Sequence, residues 1–137
     1  SNTTAQNDPE TTVPSKAGPG GRMPPSTSGW KPDATIDVAV IDCSFISLTK
    51  ILPAALRLVR PGGSIVALIK PQFEAGKREV DKGEGVITDP AVHERVLREL
   101  QDFVSAIDGA AWLGETQSPL LGPAGNKEFL ALIEKNP

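Results

Sequence analysis

Tyrosine is absent from this chain, and cysteine and histidine occur once each. The single Cys43 excludes an internal disulfide, and no Cys/His spacing has the form of a zinc site. Aromatics are few, four Phe and two Trp, which argues against a protein whose main task is stacking exposed bases. Positive charge is also short: 14 Lys and Arg against 17 Asp and Glu leave a net charge of -3. No global basic field draws in nucleic acid, so any polyanion contact must come from a local patch. No apolar run approaches the roughly 20 residues of a membrane helix, and no signal peptide is visible. The expected setting is reducing and cytoplasmic, with no membrane partner.

Glycine and proline, thirteen of each among 137 residues, are abundant and unevenly placed. Residues 1–33, rich in Pro, Gly, Ser and Thr, show neither helical nor strand periodicity. Such a segment buries too little apolar surface to offset chain entropy, so it reads as a disordered tail or insertion. Residues 34–137 carry the folded domain. "IDVAVI" at 36–41 and "SIVALI" at 64–69 are short β-branched runs and predict buried strands. Between them Ile51, Leu52, Ala55, Leu56 and Val59 recur at helical spacing, with Ser47 or Thr49 as cap, Pro53 in the first turn and Pro61-Gly62-Gly63 as the stop. A polar stretch follows, and then Asp89-Pro90 opens the clearest helix, whose stripe is Val92, Val96, Leu97, Leu100, Phe103, Val104 and Ile107. Strands near 111–117 and 128–133, separated by the turn-rich "SPLLGPAGN", close the chain as an antiparallel pair. The pattern predicts an α/β domain: half of a doubly wound sheet, with parallel strands, crossover helices and a terminal antiparallel pair.

In such sheets ligands sit beyond the carboxyl ends of the parallel strands. Asp42 ends the first run and Lys70 the second, so both face one crevice. Burial disfavours the charged form of an amine at such a mouth, whereas a nearby carboxylate favours it. The pair can therefore abstract a proton from a hydroxyl or orient that hydroxyl. The plainer alternative is a lysine that reaches solvent and an aspartate that caps the next turn.

"DVAVIDCSFISLTKILPAAL", "GGSIVALIKPQFEAGK", "GVITDPAVHERVL" and "SPLLGPAGNKEFLALI" together resemble the second half of the TlyA (hemolysin-like) family. These are S-adenosylmethionine-dependent RNA 2′-O-methyltransferases related to FtsJ. The resemblance covers about 36–133 and implies a partial Rossmann-like methyltransferase fold, S-adenosylmethionine as cofactor and ribosomal RNA as partner. It also implies a Lys-Asp-Lys-Glu catalytic set, of which Asp42, Lys70 and Glu128 are the members within the matched motifs. Asp42 and Cys43 are the implied cofactor neighbours, and the chemistry needs no metal. The three catalytic groups are expected to meet in one cleft, near enough to touch.

The family's first catalytic lysine and glycine-rich cofactor loop belong upstream of residue 36. "AGPGGR" at 17–22 lacks the strand and helix that such a loop requires. The chain is therefore expected to be the second half of the catalytic domain, binding cofactor weakly or not at all by itself. The alternative function is a non-catalytic remnant or interaction module that keeps the fold. An edge strand at 36–41 invites homodimer pairing unless it is covered. "DCSF" shares its first and last residues with the D-P-P-F signature of amino-methyltransferases but lacks both prolines. His93 is expected at the surface and Trp112 in core or edge packing. Lys77, Arg78 and Lys82 are candidate phosphate contacts interleaved with acids, and Gln72 is either a substrate contact or a turn residue.

Overall fold

The computed structural model describes residues 34–137. The reading of residues 1–33 as a tail lies outside the described residues. Ile36–Pro137 forms one compact unit. Its elements are β1 (Val38–Ile41), α1 (Leu52–Leu58), β2 (Ser64–Ile69), α2 (Pro71–Glu74), α3 (Lys77–Lys82), α4 (Pro90–Ser105), β3 (Ala110–Gln117) and β4 (Phe129–Lys135). The sheet order is β1-β2-β4-β3. β1 is parallel to β2, and β4 is antiparallel to both of its neighbours. β1, β2 and β3 therefore share one direction, and α1 and α4 lie on the connections between them. This is the expected mixed α/β sheet with its terminal antiparallel pair. The pattern left one point open: β4 returns between β2 and β3, so the last strand is central.

Strand alternation explains where the core lies. Ile65, Ala67 and Ile69 of β2 are fully buried, as are Ala131 and Ile133 of β4. They cluster with Leu52, Ala55 and Leu56 of α1 and with Val96, Leu100 and Val104 of α4. Burying each large aliphatic side chain contributes about 1.5–3 kcal/mol, so this single helix-covered face dominates stability. The opposite face is more open, with Val38, Val40 and Leu132 exposed.

Local rules set the boundaries. Pro53 falls within the first two positions of α1, where its missing N–H costs nothing. Ser47 does cap, but it caps a 3₁₀ turn at Leu48–Lys50: its Oγ accepts from the Thr49 amide at 3.1 Å. The Asp89 carboxylate accepts from the Ala91 amide at 2.9 Å, and Pro90 follows as the first residue of α4. β1 begins at Val38 and not at Ile36; the Ile36 carbonyl accepts from the Arg60 amide before β2, and the Asp37 carbonyl from the Ser64 amide that opens it.

Two expectations are corrected. The polar stretch after β2 contains α2 and α3. α3 is steadied by Glu79, which accepts from the Gly76 amide and pairs with the Arg95 guanidinium through two oxygens. His93 is buried, not superficial. Residues 93, 96, 100 and 104 occupy the inward line of α4, and the imidazole Nε2–H donates to the Ile87 carbonyl at 2.8 Å. Its ring also meets the edge of Phe129, with centroids 5.6 Å apart. A histidine on an apolar line is retained once its polar nitrogen finds such an acceptor.

Candidate active site

The site begins with a constraint on the backbone. A residue preceding proline is held out of the helical region. Lys70, before Pro71, is extended at φ -118° and ψ 97° and is the residue from which α2 starts. β2 therefore ends, the chain turns at once into a helix, and the lysine side chain is left at the strand mouth. Asp42 leaves β1 at the same end of the parallel pair, whose ladder stops at Ile41↔Ala67. The Lys70 ammonium lies 2.6 Å from Asp42 Oδ1 and donates to Ser44 Oγ at 3.1 Å. The lysine side chain is only 12% exposed and the aspartate 63%, so the pair is a nearly buried cation tethered to an accessible acid.

Glu128 reaches the same mouth from β4. Glu128 immediately precedes β4, whose first residue Phe129 pairs with Ile69, the residue before Lys70. Among the described residues the Lys70 ammonium pairs with Asp42 and not with Glu128. The Glu128 carboxylate is buried and accepts from Gln72 Nε2 at 3.0 Å. Of the three expected catalytic groups, then, Asp42 and Lys70 are in contact, while Glu128 bonds to Gln72 and to neither of them. Cys43 is exposed with a free thiol. It adjoins Asp42 in sequence and has no hydrogen bond among the described residues.

The backing of Glu128 is specific. A Cβ placed on Gly122 would fall 2.1 Å from Glu128 Oε2. Gly122→Ala should therefore displace the carboxylate from its present position and destabilise the domain by about 1–3 kcal/mol, as overpacking does. Thermal denaturation checks the cost; an unchanged melting temperature would show that the loop yields freely.

The segments carrying Asp42 and Lys70 are joined at further points. Phe45 and Phe73 pack at 4.7 Å between ring centroids. Phe45 is 88% exposed and holds a positive φ of 64°, an uncommon conformation for a side chain of this size. Beyond it, Glu74 accepts from Ser47 Oγ at 2.7 Å and from the Leu48 amide at 2.8 Å. Burial raises the Glu74 pKa above its usual value, against the opposing pull of the Leu48 amide and the Ser47 hydroxyl. The folded chain thus holds this proton more tightly than the unfolded chain. The resulting stabilisation is complete below the ordinary carboxylate pKa and is lost as pH rises through the raised one. In Glu74→Gln, stability should fall less than in the native protein as pH is raised from about 4 towards 7. Denaturant titrations across that range test this, and parallel profiles would contradict it.

Ser44, Glu74 and Asn126 have no singular sequence signal. They are common polar residues in turns, and only their partners distinguish them. Lys77 and Lys82 bound α3, an exposed helix in which Lys77 pairs with Asp81 at 2.7 Å. Trp112 packs partly against the core, and its indole N–H donates to Glu115.

The FtsJ-like methyltransferase family model matches residues 3–135. Relatives include a candidate rRNA methyltransferase of Bacillus subtilis, YqxC, 48% identical over 94 residues, which are 69% of this chain and 33% of that protein. The 16S/23S rRNA (cytidine-2′-O)-methyltransferase TlyA of Mycobacterium tuberculosis is 38% identical over 128 residues, 90% of this chain and 44% of that one. A solved structure of a candidate hemolysin from Streptococcus thermophilus superposes with a TM-score of 0.72 at 34% identity, covering 98% of this chain and 43% of that one. The chain thus spans a third to somewhat under half the length of these relatives. With a family match across nearly its whole length, and with the acid and amine of the motifs in contact at the strand ends, the chain belongs to the FtsJ-like methyltransferase family.

Proposed function

We propose that this domain takes part in S-adenosylmethionine-dependent methylation of a ribose 2′-hydroxyl in ribosomal RNA. The observation that carries the reading is the nearly buried Lys70 ammonium tethered to the accessible Asp42 carboxylate at the carboxyl ends of two parallel strands. The ribosomal RNA substrate and the 2′-hydroxyl specificity rest on the relatives' designations as rRNA (cytidine-2′-O)-methyltransferases.

The residues present fit a cationic cofactor. Asp42 commits Oδ1 to Lys70 and remains 63% exposed, so it can also face a positive centre, with Cys43 beside it. S-Adenosylmethionine, when bound, supplies an electrophilic methyl group. A ribose hydroxyl becomes a competent nucleophile as its proton is taken or steered by a positioned amine, the role assigned to Lys70. Asp42 and Ser44 fix the amine, while Gln72 holds Glu128 at the same mouth. The exposed Phe45 ring, backed by Phe73, offers a face on which the base of an unpaired nucleotide can stack.

The test is transfer of a labelled methyl group from S-adenosylmethionine to ribosomal RNA, followed by digestion to nucleosides. Label in 2′-O-methyl nucleosides supports the reading, and label confined to base methyl groups overturns the ribose assignment. Absence of transfer together with absence of calorimetric binding of S-adenosylmethionine would support the interaction-module alternative.

A further inference from the structure

Residues 43–46, between β1 and the 3₁₀ turn, are all exposed, and among the described residues they make no backbone–backbone hydrogen bond. Phe45 nevertheless holds φ at 64° with its ring almost wholly bared. A left-handed backbone and an uncovered aromatic ring are both unfavourable, so four exposed residues do not settle into this shape by themselves. Such a conformation persists only where fixed neighbours over-determine it.

The contacts that hold the segment come from Lys70 and α2. Lys70 donates to Ser44 Oγ at 3.1 Å, and the Phe73 ring packs on Phe45. Glu74 has the firmest grip: its two carboxylate oxygens accept, one from the Ser47 hydroxyl at 2.7 Å and the other from the Leu48 amide at 2.8 Å. Bonds to an ionised acceptor are shorter and stronger than neutral ones, more so in a half-buried place. Leu48 is 4% exposed and belongs to the core, and Ser47 Oγ also accepts from the Thr49 amide. Leu48 thus fixes where the segment meets the core, and Glu74, by orienting the peptide between 47 and 48, fixes the direction in which it leaves. We propose that Glu74 is a positioning residue of the site: by gripping Ser47 and Leu48 it keeps Phe45 left-handed and its ring presented to an unpaired nucleotide. The use of that ring rests on the function proposed above, whereas the grip on the backbone does not.

The test has two arms on the full chain, and the first needs no RNA. A left-handed residue brings its amide proton close to its own Hα, so Phe45 should give an intense intraresidue nuclear Overhauser peak. In Glu74→Ala that peak should weaken, together with the Phe45–Phe73 ring contacts, while the amide resonances of β2 and α4 stay in place. An unchanged Phe45 peak in the folded variant overturns the proposal. Should Glu74→Ala not fold, Ser47→Ala decides: it removes one of the two grips, and an unchanged Phe45 peak there refutes the proposal. The second arm is kinetic. Glu74→Ala should raise the KM for ribosomal RNA about tenfold, the scale of one base stacked on an aromatic ring, with little change in kcat. Adding Phe45→Ala should raise KM no further, since the carboxylate acts through that ring; effects that multiply in the double variant would overturn the positioning role. If Phe45→Ala alone leaves KM unchanged, the stacking reading fails, and the Overhauser arm still decides whether Glu74 sets the segment.

Discussion

Replacing Lys70 with alanine should reduce methyl transfer to ribosomal RNA by about 10²- to 10⁴-fold, the range over which a positioned acid or base contributes. On the proposed function the loss should fall on kcat more than on KM, because an amine that takes or steers the hydroxyl proton adds little to ground-state binding. Fold should survive, since the side chain lies at the strand mouth and its removal leaves Asp42, which is 63% exposed, free to hydrate. Lys70→Arg separates the two roles of the amine. Guanidinium retains the charge and several donors but does not release a proton near neutral pH. Near-native activity in the arginine variant would mean that orientation alone suffices. A loss as deep as alanine's would identify proton acceptance. Full activity in Lys70→Ala would remove this residue from the reaction.

Asn126→Ala should produce the largest loss of stability among the substitutions considered. The side chain is 2% exposed and makes three bonds: Oδ1 accepts from the Ile87 amide at 2.9 Å, and Nδ2 donates to the Gly85 and Pro123 carbonyls, each at 3.0 Å. Alanine leaves the buried Ile87 amide without its partner, takes one donor from the Gly85 carbonyl, and takes one of two from the Pro123 carbonyl, which keeps the residue 126 amide. At about 1–3 kcal/mol for the stranded amide and about 0.5–1 kcal/mol for each of the two other bonds lost, a total near 3 kcal/mol is expected. In a domain of this size that corresponds to a melting temperature lower by more than about 10 °C. Asn126→Asp should cost less, because the acceptor for Ile87 is kept. Activity should fall as well, since Asn126 precedes Glu128 by two residues and ties its loop to the one that leads into α4. A melting temperature within a degree or two of native would show that this tie is dispensable.

Much of this was legible in the sequence, for identifiable reasons. β2 was readable to the residue because Pro61-Gly62-Gly63 and Pro71 bracket an uninterrupted apolar run, and α4 because Asp89-Pro90 states its start. Asp42 and Lys70 are recoverable because a charge directly after a short apolar run is conspicuous, although β1 proves exposed at Val38 and Val40 where its apolar run predicts burial. α2 and α3 were not, since helices of four and six residues complete too few turns for a periodic signal. His93 is hidden from a sequence reading because its polarity masks its position on the inward line of α4. The central place of β4 depends on pairing between distant segments, which local pattern does not encode. Gln72 resisted assignment for a related reason: its significance lies in Glu128, fifty-six residues away in sequence.

The paired segments after β1 and β2 touch in step, Asp42 with Lys70, Phe45 with Phe73, and Ser47 and Leu48 with Glu74. Surface connections ordinarily tolerate added or missing residues. These two should not, because dropping one residue between Asp42 and Leu48 would throw every later rung out of phase with its opposite number. Length here is as constrained as identity, and an engineer seeking a site for a tag or a graft should look elsewhere on the domain.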